Sequence, residues 1–289
     1  MLETALGGIR IVLVEPAGPL NVGSAARVMK NMGLHQLVLV NPQCDYLGEE
    51  ARKMAVRAAD VLEAAKIVTT LPDALQGCQR AIATTALYRS LPTDLENPRS
   101  TLPWLLECPS ALIFGREDTG LTNAELSYAQ RLIRIPSSDT YASLNLAQAV
   151  AICCYELYQA AGEGRMGRGG EGEMGRGGDG GEQFSYPPSL PFPPSPSSLS
   201  PSTQAPLEAL EGYYQQLESL LLKIGYLYPH TAASRMEKFR RLFNRAYPSS
   251  QEVAMLRGTH TQIDWAMRTY PRSPVGDSLD ASPPSSPKD

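Results

Sequence analysis

Three short segments carry side chains whose types and spacing could do chemistry. Residues 15–33 read EPAGPLNVGSAARVMKNMG: a strand breaks at Pro16 and a helix begins after Asn21. Asn21 suits the N-cap of that helix. Val22, Ala25, Met29 and Met32 make its apolar stripe, and Arg27 lies off it. Residues 114–126 read FGREDTGLTNAEL. Gly115 ends a strand and permits close backbone approach by a ligand. Glu117 follows in the loop, Gly120 suits a turn, and Thr122 with Glu125 makes a capping box that fixes the next helix start. Residues 135–157 read IPSSDTYASLNLAQAVAICCYEL. Ser143 can cap a helix that is apolar nearly all round, which puts Asn145 in the first turn of a buried helix, where an amide needs partners. Plainer roles exist for the first two segments: Asn21 as a cap only, Arg27 as a solvated cation, Glu117 as an exposed loop acid. The three His (35, 230, 260) stand in unrelated contexts and the five Cys have no metal-ligand spacing. Any catalysis must therefore use other groups than a nucleophile–histidine pair or a His-based metal centre.

These segments need a frame to hold them. Apolar runs at 9–15, 37–40, 66–70, 81–86, 110–115 and 131–136 predict six buried strands. Helical patterns fall near 22–32, 49–65, 72–77, 122–130 and 143–160. Strand and helix in alternation predict an α/β domain with a mostly parallel sheet, whose ligands gather at the carboxyl ends of strands. All three segments begin at such ends.

Composition divides the 289-residue chain further. Residues 162–206 hold 11 of the 24 Gly and 8 of the 24 Pro. They open with MGRGGEG at 166–172 and MGRGGDG at 174–180, then turn Pro/Ser-rich. Such text buries too little apolar surface to offset chain entropy and predicts a linker. GxGxxG recurs there, as from Gly162, Gly167 and Gly175, but no strand precedes it, so a nicotinamide cofactor is disfavoured. Residues 207–268 predict three helices: one striped by Leu207, Leu210, Tyr214, Leu217 and Leu221, a second over 232–246, and a third over 250–268. The expected organisation is a domain at 1–161, a linker at 162–206, a helical domain at 207–268 and a disordered tail at 269–289.

Net charge is −4 with a pI near 5.5, which excludes an overall basic footprint but not a basic patch. The patch is at 230–257, where Arg235, Lys238, Arg240, Arg241, Arg245 and Arg257 face two acids, Glu237 and Glu252. Phe239, Phe243 and Tyr247 recur at four on the same stretch as an aromatic core stripe. An odd Cys count without framework spacing predicts free thiols in the cytoplasm. No apolar run approaches the ~18–20 residues of a membrane span.

Together the three segments resemble the SPOUT class of RNA methyltransferases, in its SpoU/TrmH ribose-methylating branch and its TrmJ subgroup. The resemblance rests on Asn21, Gly23 and Arg27 as N-x-G-x-x-x-R, on F-G-x-E-x-x-G-L from Phe114 to Leu121, and on SLNLAQA from Ser143 to Ala149. NPQCDY after strand 37–40, TTALYRSLP at 84–92 and the helical text after 207 add to it. The resemblance implies an α/β fold, a mostly parallel sheet with a deep trefoil knot, plus a small all-α C-terminal domain. It implies a homodimer with the site close to the subunit interface. The implied activity is 2′-O-methylation of the ribose at the pyrimidine of tRNA position 32, with S-adenosylmethionine as methyl donor and no metal; DNA and membranes are not expected partners. Other SpoU-family ribose methylation, or a non-catalytic RNA-binding paralogue, are the alternatives. The implied catalytic residue is Arg27, supported by Asn21, Glu117, Ser143 and Asn145. The implied donor site is Thr84, Thr85, Ala86, Gly115, Ile135, Ala142, Ser143 and Leu144. Arg235, Lys238, Arg240, Arg241 and Arg245 are the expected RNA-binding cations.

Overall fold

The computed structural model describes residues 5–86, 95–138, 140, 142–166 and 204–269. Most of the Gly/Pro-rich linker, including both RGG repeats, the tail from Tyr270 and residues 87–94 lie outside the described residues.

All six expected strands are present: β1 (Ile9–Val14), β2 (Gln36–Val40), β3 (Lys66–Val68), β4 (Arg80–Thr84), β5 (Ser110–Phe114) and β6 (Arg131–Ile133). They form one sheet in the order β3-β2-β1-β5-β4-β6, with every pair parallel. The chain runs outward from β1 to β3 and then returns to the other side of β1. The order therefore reverses between β1 and β5, the crevice where parallel sheets take their ligands. The register sets Val12 beside both Val38 and Ile113.

Strand side chains alternate between two cores, as the period of two demands. Ile11, Leu13, Leu39, Leu112 and Phe114 face one layer; Val12, Val14, Val38, Ala111 and Ile113 face the other. β1, β2, β4 and β5 are apolar on both faces because both faces are covered, and the edge strand β6 puts Leu132 and Ile133 into the two cores. β3, expected to be buried, is the other edge strand, with Lys66 and Ile67 exposed.

The first layer is α1 (Pro19–Asn31), α2 (Glu49–Ala55), α3 (Ala59–Glu63) and α7 (Leu146–Met166), the last following α4 (Leu71–Leu75), α5 (Pro98–Thr101) and α6 (Asn123–Leu126). The helix expected over 49–65 breaks at Val56, whose φ is +53°, into α2 and α3. The short α5 and the 3-10 turn Leu102–Glu107 have no counterpart in the sequence reading. Two starts also move. Pro19 occupies the first position of α1 behind Gly18, so Asn21 lies one turn inside rather than at the cap. Asn145, not Ser143, caps α7, its Oδ1 accepting from the amides of Ala147 at 2.9 Å and Gln148 at 3.4 Å.

The other layer is α4 with α8 (Leu207–Lys223), α9 (Ala232–Ala246) and α10 (Ser250–Thr269). Leu210, Tyr213, Tyr214, Leu217, Leu227 and Met236 pack in one cluster with Val12, Val14, Ala83 and Ile113. Asn244, 4% exposed, accepts from Tyr214 Oη at 2.8 Å and donates to Ser127 O at 2.9 Å. The C-terminal helices thus share a core with the sheet.

Candidate active site

The site grows from the abutting ends of β1 and β5. Beyond β5 the chain turns back on itself, with Gly120 N donating to Arg116 O at 3.0 Å and Gly120 at φ +67°. The turn is so tight that a Cβ on Gly115 would lie 2.3 Å from Gly120 C and 2.4 Å from Leu121 N. Arg116 locks it from outside, pairing with Glu15 at 2.7 Å and Glu125 at 2.9 Å. Glu125 also completes the expected capping box with Thr122. The sequence reading missed the Arg116 triad because its partners lie 101 and 9 residues away.

Glu117 then meets the turn that follows β1. Its Oε1 accepts from Gly18 N at 3.0 Å and Asn21 Nδ2 at 3.1 Å, and its Oε2 from Ala17 N at 3.1 Å. A carboxylate only accepts, so Asn21 must present its NH2 to Glu117 and its oxygen elsewhere. That oxygen takes Asn145 Nδ2 at 2.9 Å, which turns Asn145 Oδ1 toward the start of α7. One carboxylate thereby sets two amides and joins three segments remote in sequence. Burial acts to raise the Glu117 carboxyl, but the bonds from Asn21, Ala17 and Gly18 prevail and hold it below the usual carboxylate range. It is an ionised clamp at neutral pH.

Beside this network, past the carboxyl ends of β4, β5 and β6, lies a half-open cavity of about 310 Å³. All eight expected donor-site residues line it: Thr84, Thr85, Ala86, Gly115, Ile135, Ala142, Ser143 and Leu144. Thr84 and Thr85 are fixed there by Thr84 Oγ1 on Ile113 O at 3.2 Å and Thr85 N on Ile133 O at 3.0 Å. Glu117 and Asp118 also line it, while the charge of Arg116 is taken up by Glu15 and Glu125. The lining is largely apolar with an acidic rim, a setting that favours a flat ligand carrying positive charge.

The remaining expected residues divide. Ser143 lines the cavity but is exposed, and its hydroxyl makes no hydrogen bond among the described residues. Arg27 is exposed, makes no hydrogen bond or ion pair among the described residues, and does not line the cavity. Gly23, in the same motif, has a packing role instead: a Cβ there would meet Ala51 O at 2.1 Å, so it permits the close approach of α1 to α2. Among the expected RNA-binding cations, Arg240 is not free. Its guanidinium lies over Tyr128 and Tyr214 at 4.7 and 4.6 Å and pairs in two places with Glu211, the second at 2.9 Å. Its role is to tie α9 to α8. Arg241 pairs with Glu237 at 3.5 Å, and Arg235 donates to Tyr226 O at 2.8 Å. Lys238 and Arg245 are exposed with no partner among the described residues.

An all-parallel α/β sheet with this crevice and three such motifs defines a class, and the chain belongs to the SpoU rRNA methylase family, whose model matches residues 8–155. Residues 208–272 match the model of the tRNA methyltransferase TrmJ C-terminal domain. Over 277 residues the chain is 38% identical to the tRNA (cytidine/uridine/adenosine-2'-O-)-methyltransferase TrmJ of Pseudomonas aeruginosa, covering 93% of this chain and 99% of that protein. It is 37% identical to the tRNA (cytidine/uridine-2'-O-)-methyltransferase TrmJ of Cronobacter sakazakii, covering 92% and 100%. Among solved structures, TrmJ from Z. mobilis ZM4 superposes with a TM-score of 0.70 at 27% identity, covering 88% of this chain and 98% of that one.

Proposed function

We propose that the chain methylates the ribose 2′-oxygen of the pyrimidine at position 32 in the tRNA anticodon loop, with S-adenosylmethionine as donor. The observation that supports this most is the cavity past the ends of β4, β5 and β6, where eight donor-site residues line one space and Glu117 joins it to the Asn21–Glu117–Asn145 network. The donor, when bound, supplies a methyl group on a sulfonium, already a good leaving arrangement, so the chemistry calls for no metal. The chain has two tasks: align the reacting atoms and manage charge on the hydroxyl.

The backbone at Thr84, Thr85, Ala86, Gly115, Ile135, Ala142, Ser143 and Leu144 holds the donor, and the acidic rim favours its positive charge. Glu117 is a poor base, because the three hydrogen bonds it accepts from Ala17, Gly18 and Asn21 hold its carboxyl below the usual range. A protonated guanidinium has no free lone pair with which to take the proton. Arg27 therefore orients hydroxyl and phosphate and stabilises developing oxyanion charge, its unpartnered guanidinium being available for this. Residues 1–161 form the catalytic unit, knotted as in the family, and 207–268 the tRNA-binding helices. A homodimer would cover Ile152, Tyr155 and Tyr158 of α7 and Leu20 of α1, exposed at 37, 48, 41 and 49%. No described helix is long and apolar enough to cross a membrane, and five free thiols suit a cytoplasmic enzyme.

A second reading keeps the chemistry and widens the base, since the Pseudomonas relative's name includes adenosine. Mapping 2′-O-methyl groups in tRNA from cells with and without the protein tests both. Loss at a position 32 pyrimidine alone supports the first reading, loss at adenosines as well supports the second, and an unchanged map refutes both.

A further inference from the structure

The turn 224–231 between α8 and α9 exposes rings that a core would normally take. Leu227 is 2% exposed, packed with the second sheet face, while Tyr226 and Tyr228 on either side are 53 and 55% exposed. The alternation follows from the anchor: with Leu227 plugged inward, its neighbours must point out. The turn is also held firmly. Gly225, at φ +75°, donates to Leu222 O at 3.1 Å, and Tyr226 N and Leu227 N both donate to Leu221 O at 3.0 Å. Thr231 N donates to Tyr228 O at 2.9 Å, and Arg235 Nη1 to Tyr226 O at 2.8 Å. The Arg235 guanidinium lies 5.7 Å from the Tyr226 ring centre, and the exposed His230 ring lies 24° from parallel to Tyr228 at 5.9 Å.

Beside these rings runs a ridge of charge. Arg235, Lys238, Arg241 and Arg245 recur along α9 at steps of three, three and four, which places them on one helix face. At 1.5 Å per residue the ridge is about 15 Å long. The one acid of α9, Glu237, is spent on Arg241. Arg240 is turned away into its contact with Glu211.

We propose that this turn is a stacking platform for unpaired nucleotides of the RNA substrate, with the α9 ridge tracking their phosphates. The assignment rests on the RNA-methylating reading above. Flat, exposed rings interleaved with cations match the two chemistries of a single strand, open base faces and a charged backbone. A paired stem supplies phosphates but no open base face. Because the rings are fixed before binding, little side-chain freedom is lost when a base stacks on them.

The test uses the full chain and three variants: Tyr226→Ala/Tyr228→Ala/His230→Ala, Tyr226→Phe/Tyr228→Phe, and Lys238→Ala/Arg245→Ala. Each is titrated with a tRNA and with a short oligouridylate over a series of KCl concentrations. Replacing the rings by Ala should weaken both RNAs by at least ~10-fold with the salt slope unchanged, since stacking is not electrostatic. The Phe variant should stay within about 3-fold of wild type because the π-face persists. The basic pair should flatten the slope by roughly 1.4–1.8 log units per tenfold salt, two contacts' worth. Calorimetry with S-adenosylmethionine should be the same for all, a sign that the fold is intact. Wild-type RNA affinity in the triple Ala variant overturns the platform. So does a loss that follows a change in molar mass by light scattering, which would make the rings a protein contact. Failure of the wild-type chain itself to bind or methylate tRNA would refute the methyltransferase reading, whereas full activity with an indifferent triple variant would remove only the platform.

Discussion

Gly115 is the position where a single methyl group says most. A Cβ there would lie 2.3 Å from Gly120 C, 2.4 Å from Leu121 N and 2.8 Å from Gly120 Cα, against a practical floor of 3.0 Å. Reaching that floor takes about 0.7 Å of movement, and ordinary packing more than 1 Å, since close-packed atoms resist overlap steeply. All three obstacles are backbone, so no rotamer relieves them. Gly120 is held to Arg116 O, and Arg116 to Glu15 and Glu125. Gly115→Ala should therefore cost ~1–3 kcal/mol of stability through overpacking. It should also displace the Gly115–Leu121 wall of the cavity, weakening S-adenosylmethionine by more than ~10-fold, or ~1.4 kcal/mol. This damage precedes any contact with a ligand: Gly115→Val fails for the same backbone reason and not only because a larger side chain fills the donor's place. The assay is calorimetric titration beside a thermal melt, with Gly8→Ala as control, because the nearest atom to its Cβ is 3.9 Å away. Wild-type affinity and melting temperature for Gly115→Ala would refute the packing account. A lowered melting temperature with undiminished affinity would take this loop out of the donor site.

Other outcomes can be stated briefly. Arg27→Ala should leave melting and donor affinity unchanged while lowering single-turnover methylation on the order of 10²–10³-fold, and a variant that keeps most of its rate rejects the assigned role. Asn244→Ala should cost ~1–3 kcal/mol in denaturant unfolding, because it strands the Ser127 carbonyl and leaves the Tyr214 hydroxyl only the long contact to Arg240 O at 3.5 Å. Glu15, Glu117 and Glu125 are all held below the ordinary carboxylate range. Their contribution is complete above the unfolded value of about pH 4.5 and is lost as pH falls through the folded values. Stability should thus drop as pH falls below about 4.5, and Glu117→Gln should flatten that drop; equal slopes would show that the clamp adds nothing.

The inner strands β1, β2, β4 and β5 were legible because each is buried on two faces and so reads as an apolar run. β3 was misjudged because an edge strand of three residues still offers Ile67 and Val68 to the eye. Helix starts were less legible. Asn21 has the right type for a cap, but Pro19 two residues earlier takes the first position, and the Glu117 carboxylate sets the amide's direction from outside the local sequence. The cavity lining was legible through motif resemblance, and the Arg116 triad was not, since Glu15 is brought to it only by β1–β5 pairing. The cations of α9 were visible as a cluster, but a local count cannot tell that Arg240 faces Glu211 while Lys238 faces water. The shared core of sheet and C-terminal helices was hidden for a related reason: a Gly/Pro-rich stretch reads as a boundary whether or not the elements it joins go on to dock.

That docking changes what the stretch is. Met166 ends a helix of one layer, and the chain re-enters the other at Gln204, which accepts from Arg80, while Leu207 N donates to Cys78 O at 2.9 Å. The C-terminal helices are thus part of the folded body rather than a free module, and a connection between these two ends is a closure. The entropy of such a closure grows only with the logarithm of its length, by about 0.6 kcal/mol per doubling. On that scaling, a change of length between these ends should cost folding little and leave in place the helices that α4 and the sheet hold.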